Sequence, residues 1–432
     1  MSRNALKTRK SFTNKMRNKS LKFKVSLTVV ILLILVFLGQ VPTPGINTDY
    51  FKALIESNAA LGFLNTINGD ALNKLSIMTL SVSPYITASI ILQLLGIIFP
   101  SIADMQKDGA AGEKKYKTIL VLSGVGFAFV EALGMAYGFG KQGLLHNYSA
   151  GWIALVTIIW TLGATLTVLV GEFIDTLKIG SGISLILTVN ILSSFNGSIL
   201  SLFVQFVKGH KIAFAILNSI LIFAILFGII LYITIVNSAE KKVTVSCSSK
   251  TYQGQRKITH TIPIKLCPGG VVPIIFASSL INAPIIVATF LGKPDMFKVL
   301  NSSYWFKSPK YLVGALIFIA MIFMFSFFYS SIVFNPQEIA NNIKKAGQTI
   351  NGVRSGKATE DYIREQTNRM IWIGATALSV IAILPNIIDA IFHVGQLSFA
   401  GTSMIIIVSV ILETTEVIRS QTRKQQYKRL FK

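Results

Sequence analysis

Ten stretches of the chain are apolar and long enough to organise it around a bilayer. They lie near residues 24–40, 75–99, 117–140, 151–171, 183–207, 212–236, 271–291, 311–334, 369–388 and 398–418. Each approaches the ~20 apolar residues that a hydrocarbon core requires. Between the first two lies a half-apolar piece, Ala53 to Lys74, that is too polar to cross. A basic leader precedes the first stretch, but no small-x-small cleavage pattern follows it, so a permanent helix is expected there. The pattern predicts an all-α polytopic membrane protein.

Inside several spans an apolar stripe runs beside a hydroxyl-rich one. In SVSPYITASI, Val82 and Ile86 stand four residues apart and share a helix face, as do Leu187 and Ile191 in SGISLILTVNI. Two readings are open at this level. Small polar residues let helices pack closely, or they line a watery vestibule that narrows to an apolar constriction. Pro84 falls within the second span and is expected to kink it.

Two connections are too long to be mere links. The first, residues 237–270, holds KKVTVS and KITHTIPIKL, whose alternation of β-branched and polar residues predicts a protruding hairpin. In the second, residues 335–368, Asn335 is placed to cap a helix with Pro336 at its first position and Glu338 three residues on. Lys344 and Lys345 suit its last turn and Gly347 its end. NGVRSG then turns the chain into a second helix opened by Thr359. Two structured arms on one side of the membrane predict a docking surface for a large partner.

The composition agrees with this organisation. Of 432 residues 52% are apolar and only 14% charged, against about 25% charged in ordinary soluble proteins. The mean hydropathy is +0.61. Most of the 41 lysines and arginines fall in segments that an inside amino terminus assigns to the cytoplasm, as the positive-inside rule requires. Both termini are then cytoplasmic. The formal charge of +23 also leaves room for acidic partners such as anionic membrane lipids.

Catalytic and metal chemistry find little footing. The two cysteines, Cys247 and Cys267, lack flanking ligands at zinc spacing, and the four histidines are unpaired at i,i+4. There is no P-loop, no HExxH, and no GxSxG with partners. No enzyme activity and no cofactor are expected. Glu131 is the one carboxylate well inside a span, thin support for an ion-coupled transporter, which needs ionisable groups at membrane depth.

Six motifs then become specific. PTPGI, SVSPYITASIILQLL, KIGSGISLI, PGGVVPIIFASSL, FNPQEIANNIKKAGQTINGVRSGKATEDYI and GTSMIIIV occur in this order across nearly the whole chain. Together they resemble the SecY family of protein-conducting channel subunits.

The resemblance implies ten transmembrane helices in two inverted five-helix halves, residues 24–207 and 208–418, hinged near Lys208–Lys211. A basic amino-terminal segment, 1–23, and a basic tail, 419–432, flank them. It implies an apolar pore ring of Val82, Ile86, Leu187, Ile191, Ile275 and Ile406. A short plug helix within about 55–74 would include Leu64, Asn65, Ile67, Asn68 and Gly69, and is expected to be weakly held. Polar groups at a lateral gate would be Thr87, Glu131 and Asn282, with glutamate standing where a bacterial member is expected to carry glutamine. The arms would present Lys241, Lys242, Lys250, Arg256, Arg354 and Lys357 to a SecA motor ATPase or a ribosome.

SecE-like and SecG-like subunits, unfolded polypeptide substrates and a bacterial cytoplasmic membrane complete the implied setting. Lys241-Lys242 and Ser249-Lys250 stand where arginines are usual, which keeps open an accessory paralogue serving a restricted set of exported proteins. An insertase without a through-pore is a further alternative.

Overall fold

The computed structural model describes residues 21–48, 59–145, 147–206, 212–247, 259–290, 298–306, 308–392 and 397–430. A helix coincides with each of the ten expected spans. These are α1 (Leu21–Leu38), α3 (Ser83–Ile98), α5 (Gly109–Phe139), α6 (Ala150–Leu177), α7 (Gly182–Phe206), α8 (Ile212–Ser238), α9 (Val272–Phe290), α10 (Leu312–Val333), α12 (Lys357–Phe392) and α13 (Leu397–Leu430). Three shorter helices lie between them: α2 (Ala59–Ile67), α4 (Pro100–Lys107) and α11 (Pro336–Lys345). Among the described residues five helices meet membrane-crossing length and hydropathy, and four shorter apolar ones accompany them. On α1, Val29, Val30, Leu33, Ile34 and Phe37 are exposed, as on a helix whose surroundings are lipid rather than water.

Two compact units emerge. One holds the described residues of Met1–Val204, Asn282–Asn301 and Val410–Lys432, the other those of Gln205–Ile281 and Ser302–Ser409.

In the first unit the core lies between α5, α6 and the connection that precedes α3. Ala128, Ala132 and Ala136 recur every fourth residue on α5 and are buried, so α6 can approach closely. Leu61 of α2 and Leu72, Leu75 and Leu80 of the connection complete this cluster with Phe139 and Trp160. The PTPGI loop is pinned on α6. Trp160 Nε1 donates to Thr43 Oγ1 at 3.1 Å, and Gly45, at φ +82°, leaves no room for a Cβ beneath Trp152. The KIGSGIS turn joins α6 to α7 tightly. Asp175 Oδ1 accepts from Gly182 N at 2.6 Å, and a Cβ on Gly182 would lie 2.0 Å from Gly171 O.

The second span departs from expectation. It was predicted to begin near residue 75, but the helix starts at Ser83, with Pro84 in its first turn. Pro84 therefore opens the helix and does not kink it. Its fixed φ and missing N–H suit a first turn, where no intrahelical acceptor is lost. Before it, left-handed Asp70, Leu75 and Ser81 break the chain into successive turns closed by Leu75 N to Leu72 O, Thr79 N to Ser76 O and Ser81 N to Met78 O.

In the second unit the expected hairpin is present. β1 (Glu240–Cys247) pairs antiparallel with β2 (Thr259–Lys265), Glu240 opposite Lys265 and Thr244 opposite Thr261. The second arm adds β3 (Gln348–Ile350) to the other side of β1, giving the order β2-β1-β3. The two arms are thus one platform. Val243, Val245, Ile264, Ile343, Ile350 and Ile363 form its buried core. Asn335 caps α11, its Oδ1 accepting from Gln337 N at 3.1 Å and Glu338 N at 3.4 Å. The helix opened after NGVRSG runs without a break into the ninth span as α12.

Candidate functional site

The structure distributes the expected ring residues over both units. Val82, Ile86, Leu187 and Ile191 belong to the first, Ile275 and Ile406 to the second. Val82 closes the turn before α3, and Ile86 N donates to Val82 O at 3.1 Å, which aligns the two on one face. Val82 is buried and Ile86 half-buried; on α7, Leu187 and Ile191 are both buried. Ile275 stands in the first turn of α9, half-buried, and Ile406 is buried on α13. Aliphatic side chains offer an ion no ligand, so a constriction built from them imposes a large desolvation cost.

Of the segment expected to form a plug, residues 55–58 lie outside the described residues and the rest begins with α2. Leu64 packs against the core cluster of the first unit and Ile67 is buried. Polar side chains fold the following loop. Asn65 Nδ2 donates to Asp70 Oδ1 at 3.0 Å while its Oδ1 accepts from Asn73 N at 2.8 Å. Asn68 Nδ2 donates to Thr79 O at 2.9 Å. Gly69, at φ +72°, lies so close to α7 that a Cβ would meet Asn190 Cα at 2.9 Å. The segment is more firmly tied than its poor helix propensity suggests, because its bonds are loop bonds rather than helical ones.

Of the gate residues, Thr87 Oγ1 donates within its own helix to Ser83 O at 3.2 Å. Glu131 on α5 keeps a buried Oε2 without a hydrogen-bond partner. Asn282 is half-buried on α9, two residues before the internal Pro284. Helices α3 and α5 pack through Ala88, Leu92 and Leu120, with Tyr85, Tyr116 and Phe127 beside them.

On the platform, Val353 packs into the core and leaves the neighbouring Arg354 exposed, as is Lys357. Arg354 O accepts from Thr359 Oγ1 at 2.8 Å, which ties the turn to the start of α12. Lys241 and Lys242 are engaged within the protein, Lys241 Nζ with Gln366 Oε1 at 2.5 Å and Lys242 Nζ with Glu240 Oε1 at 3.6 Å. Lys250, Arg256 and the hinge at Lys208–Lys211 lie outside the described residues.

Three contacts escaped the sequence reading: Asn190 with Ser81, Trp160 with Thr43, and β3 on β1. The first two join residues more than a hundred positions apart. Their only sequence signal is a polar side chain inside an apolar run.

Residues 76–415 match the SecY family. Protein translocase subunit SecY of Bacillus licheniformis is 33% identical over 98% of this chain and 99% of its own length. The Rickettsia felis protein of the same name is 33% identical over 98% of each chain. A solved structure described as a protein conducting channel superposes with a TM-score of 0.64 at 20% identity, covering 92% of both chains. The yeast Ssh1 complex bound to the 80S ribosome gives 0.65 at 15% identity, over 93% of this chain and 90% of that one. By sequence over nearly its full length this chain belongs to the SecY family, and it has the fold of the SecY channels.

Proposed function

We infer that this chain is the channel subunit of a Sec translocase, conducting unfolded secretory polypeptides across the membrane and releasing apolar segments sideways into lipid. The observation that carries the reading is the family match joined to six aliphatic side chains at the ring positions, Val82, Ile86, Leu187, Ile191, Ile275 and Ile406. Such a ring yields to a passing chain while denying ions a ligand. The two halves, 24–207 and 208–418, are its moving parts, α2 and the loop after it its plug, and Thr87, Glu131 and Asn282 the polar lining of its lateral exit.

The chain itself supplies no energy. A SecA-type motor or a translating ribosome docks on the platform through Arg354 and Lys357; a ribosome-bound relative of the same fold supports the second partner. SecE-like and SecG-like subunits and anionic lipids complete the assembly in a bacterial cytoplasmic membrane, with both termini inside. The internal engagement of Lys241 and Lys242 favours a second reading, an accessory paralogue whose docking rests on fewer free cations.

The test traps a secretory precursor in mid-passage with photoreactive residues at positions 86 and 275. Crosslinks at both are expected. Continued export with neither crosslink removes the pore assignment.

A further inference from the structure

Within the first unit, one residue touches both the plug segment and the ring-bearing stretch before α3. Asn190 immediately precedes Ile191 on α7, and Ser81 immediately precedes Val82. Asn190 Nδ2 donates to Ser81 Oγ at 2.9 Å, and both residues are buried. The backbone of the same Asn190 is the surface on which Gly69 rests, so close that a Cβ there would meet Asn190 Cα at 2.9 Å. One turn further, Ser194 Oγ lies 3.4 Å from Thr66 O at the end of α2 while also donating to Ile191 O at 2.9 Å. Residues 190 and 194 share a helix face, so a single face of α7 carries the plug and grips the chain ahead of α3.

On the plug side, satisfaction is incomplete. Asn68 bonds Thr79 O through its Nδ2, but its Oδ1 is buried with no hydrogen-bond partner. Asn68 and Gly69 border a small, partly open pocket shared with Ser81, Asn190 and Ser193. A buried acceptor without a partner costs free energy that water restores once the segment lifts.

We propose that Asn190 is the latch of the closed channel: its bond to Ser81 holds Val82 beside Ile191, and its backbone seats the plug at Gly69. This rests on the pore reading above. Parting Val82 from Ile191 breaks the Asn190–Ser81 bond, and the same displacement of α7 removes the floor under Gly69. Inside the 24–207 half, widening of the ring and release of the plug are therefore one event, distinct from any movement between the halves. Loss of one buried hydrogen bond shifts such an equilibrium by about three- to tenfold.

The experiment measures ion leak through the resting channel, purified with its partner subunits in proteoliposomes. Asn190→Ala and Ser81→Ala are each expected to raise the leak about three- to tenfold, and the double variant no further than the larger single one. Thr167→Ala is the control. Thr167 borders the same pocket, but its hydroxyl bonds Gly163 O in its own helix at 2.9 Å and otherwise meets only the weak acceptor Met78 Sδ at 3.5 Å, away from Asn190 and Gly69, so its leak stays at the wild-type level. Ser81→Ala alters little volume and keeps the test valid if Asn190→Ala fails to fold.

A tight Ser81→Ala channel overturns the latch, as does a double variant whose effects multiply. Ile191→Gly separates the two failures. If it leaks while the latch variants stay tight, only the latch is wrong; if it too stays tight, the pore reading falls and the latch with it.

Discussion

Between α1 and α3 buried leucines, Leu61, Leu72, Leu75 and Leu80, are overlaid by amide bonds of Asn65 to Asp70 and Asn73 N, of Asn68 to Thr79 O and of Asn190 to Ser81. Between α8 and α9, and again between α10 and α12, the chain also leaves the membrane helices, and there a three-stranded sheet packs over branched aliphatics at Val243, Val245, Ile264 and Ile350 with no buried side-chain amide among them. The two arrangements fail differently. Aliphatic burial has no partner to exchange with water, so a platform built on it stays shut. A polar seat trades each protein bond for one to water at a net cost of about 1 kcal/mol, so it can open and close repeatedly. The two regions differ in bonding chemistry more than in location.

The contrast can be broken most visibly at Cys267, beside the platform. Burial pushes its thiol up to about 12, and a Cβ at Gly374 would come within 3.0 Å of its sulfur. Raising the pKa withholds the thiolate until the pH climbs toward that value. With Cys247→Ser in place, maleimide labelling at pH 8 is expected to run roughly a thousandfold slower than at an exposed thiol. Ile264→Ala, which removes about 2–5 kcal/mol of packing, should restore much of that reactivity. Fast labelling of the unaltered platform would show that it opens as readily as a polar seat.

Gly69→Ala tests the other side of the comparison. The added Cβ meets α7 backbone at a left-handed φ, a strain of about 1–3 kcal/mol. It should make the resting channel leak more than Ser81→Ala does; an ion-tight variant would mean that the seat yields. The smallest structural effect belongs to Arg354→Glu on the exposed platform turn. Thermal stability should move by no more than about 0.5 kcal/mol, while precursor export falls. Unchanged export would leave the turn without a docking role.

Much of this was legible in the sequence, for local reasons. Asn335, Pro336 and Glu338 carry their capping logic within four residues, and KKVTVS declares a strand by alternation alone. Apolar runs placed ten helices, because a span needs no distant partner to be recognised. The start of the second span was not legible. Residues 75–82 are as apolar as the helix they precede, and only burial of Leu75 and Leu80 in the core compensates their irregular backbone. Pro84 was misread for the same cause, since its meaning depends on where the helix begins. The Asn190–Ser81 pair and β3 depend on long-range contact, and QTI is too short to show a period. Of the site, the aliphatic positions proposed for the ring rest on motifs alone, while the exposure of Arg354 follows from its glycine-flanked turn. The engagement of Lys241 by Gln366 could not, because 125 residues separate them.

The third strand has a consequence for the order in which this protein is made. Its partner β1 emerges more than a hundred residues earlier, and α9 and α10 are synthesised between them. Until residues 348–350 arrive, one edge of β1 offers unpaired amides and carbonyls to any neighbouring chain. The finished platform therefore records that two further spans and α11 have been made, and a nascent chain stalled before that point carries a sticky edge that the complete protein hides.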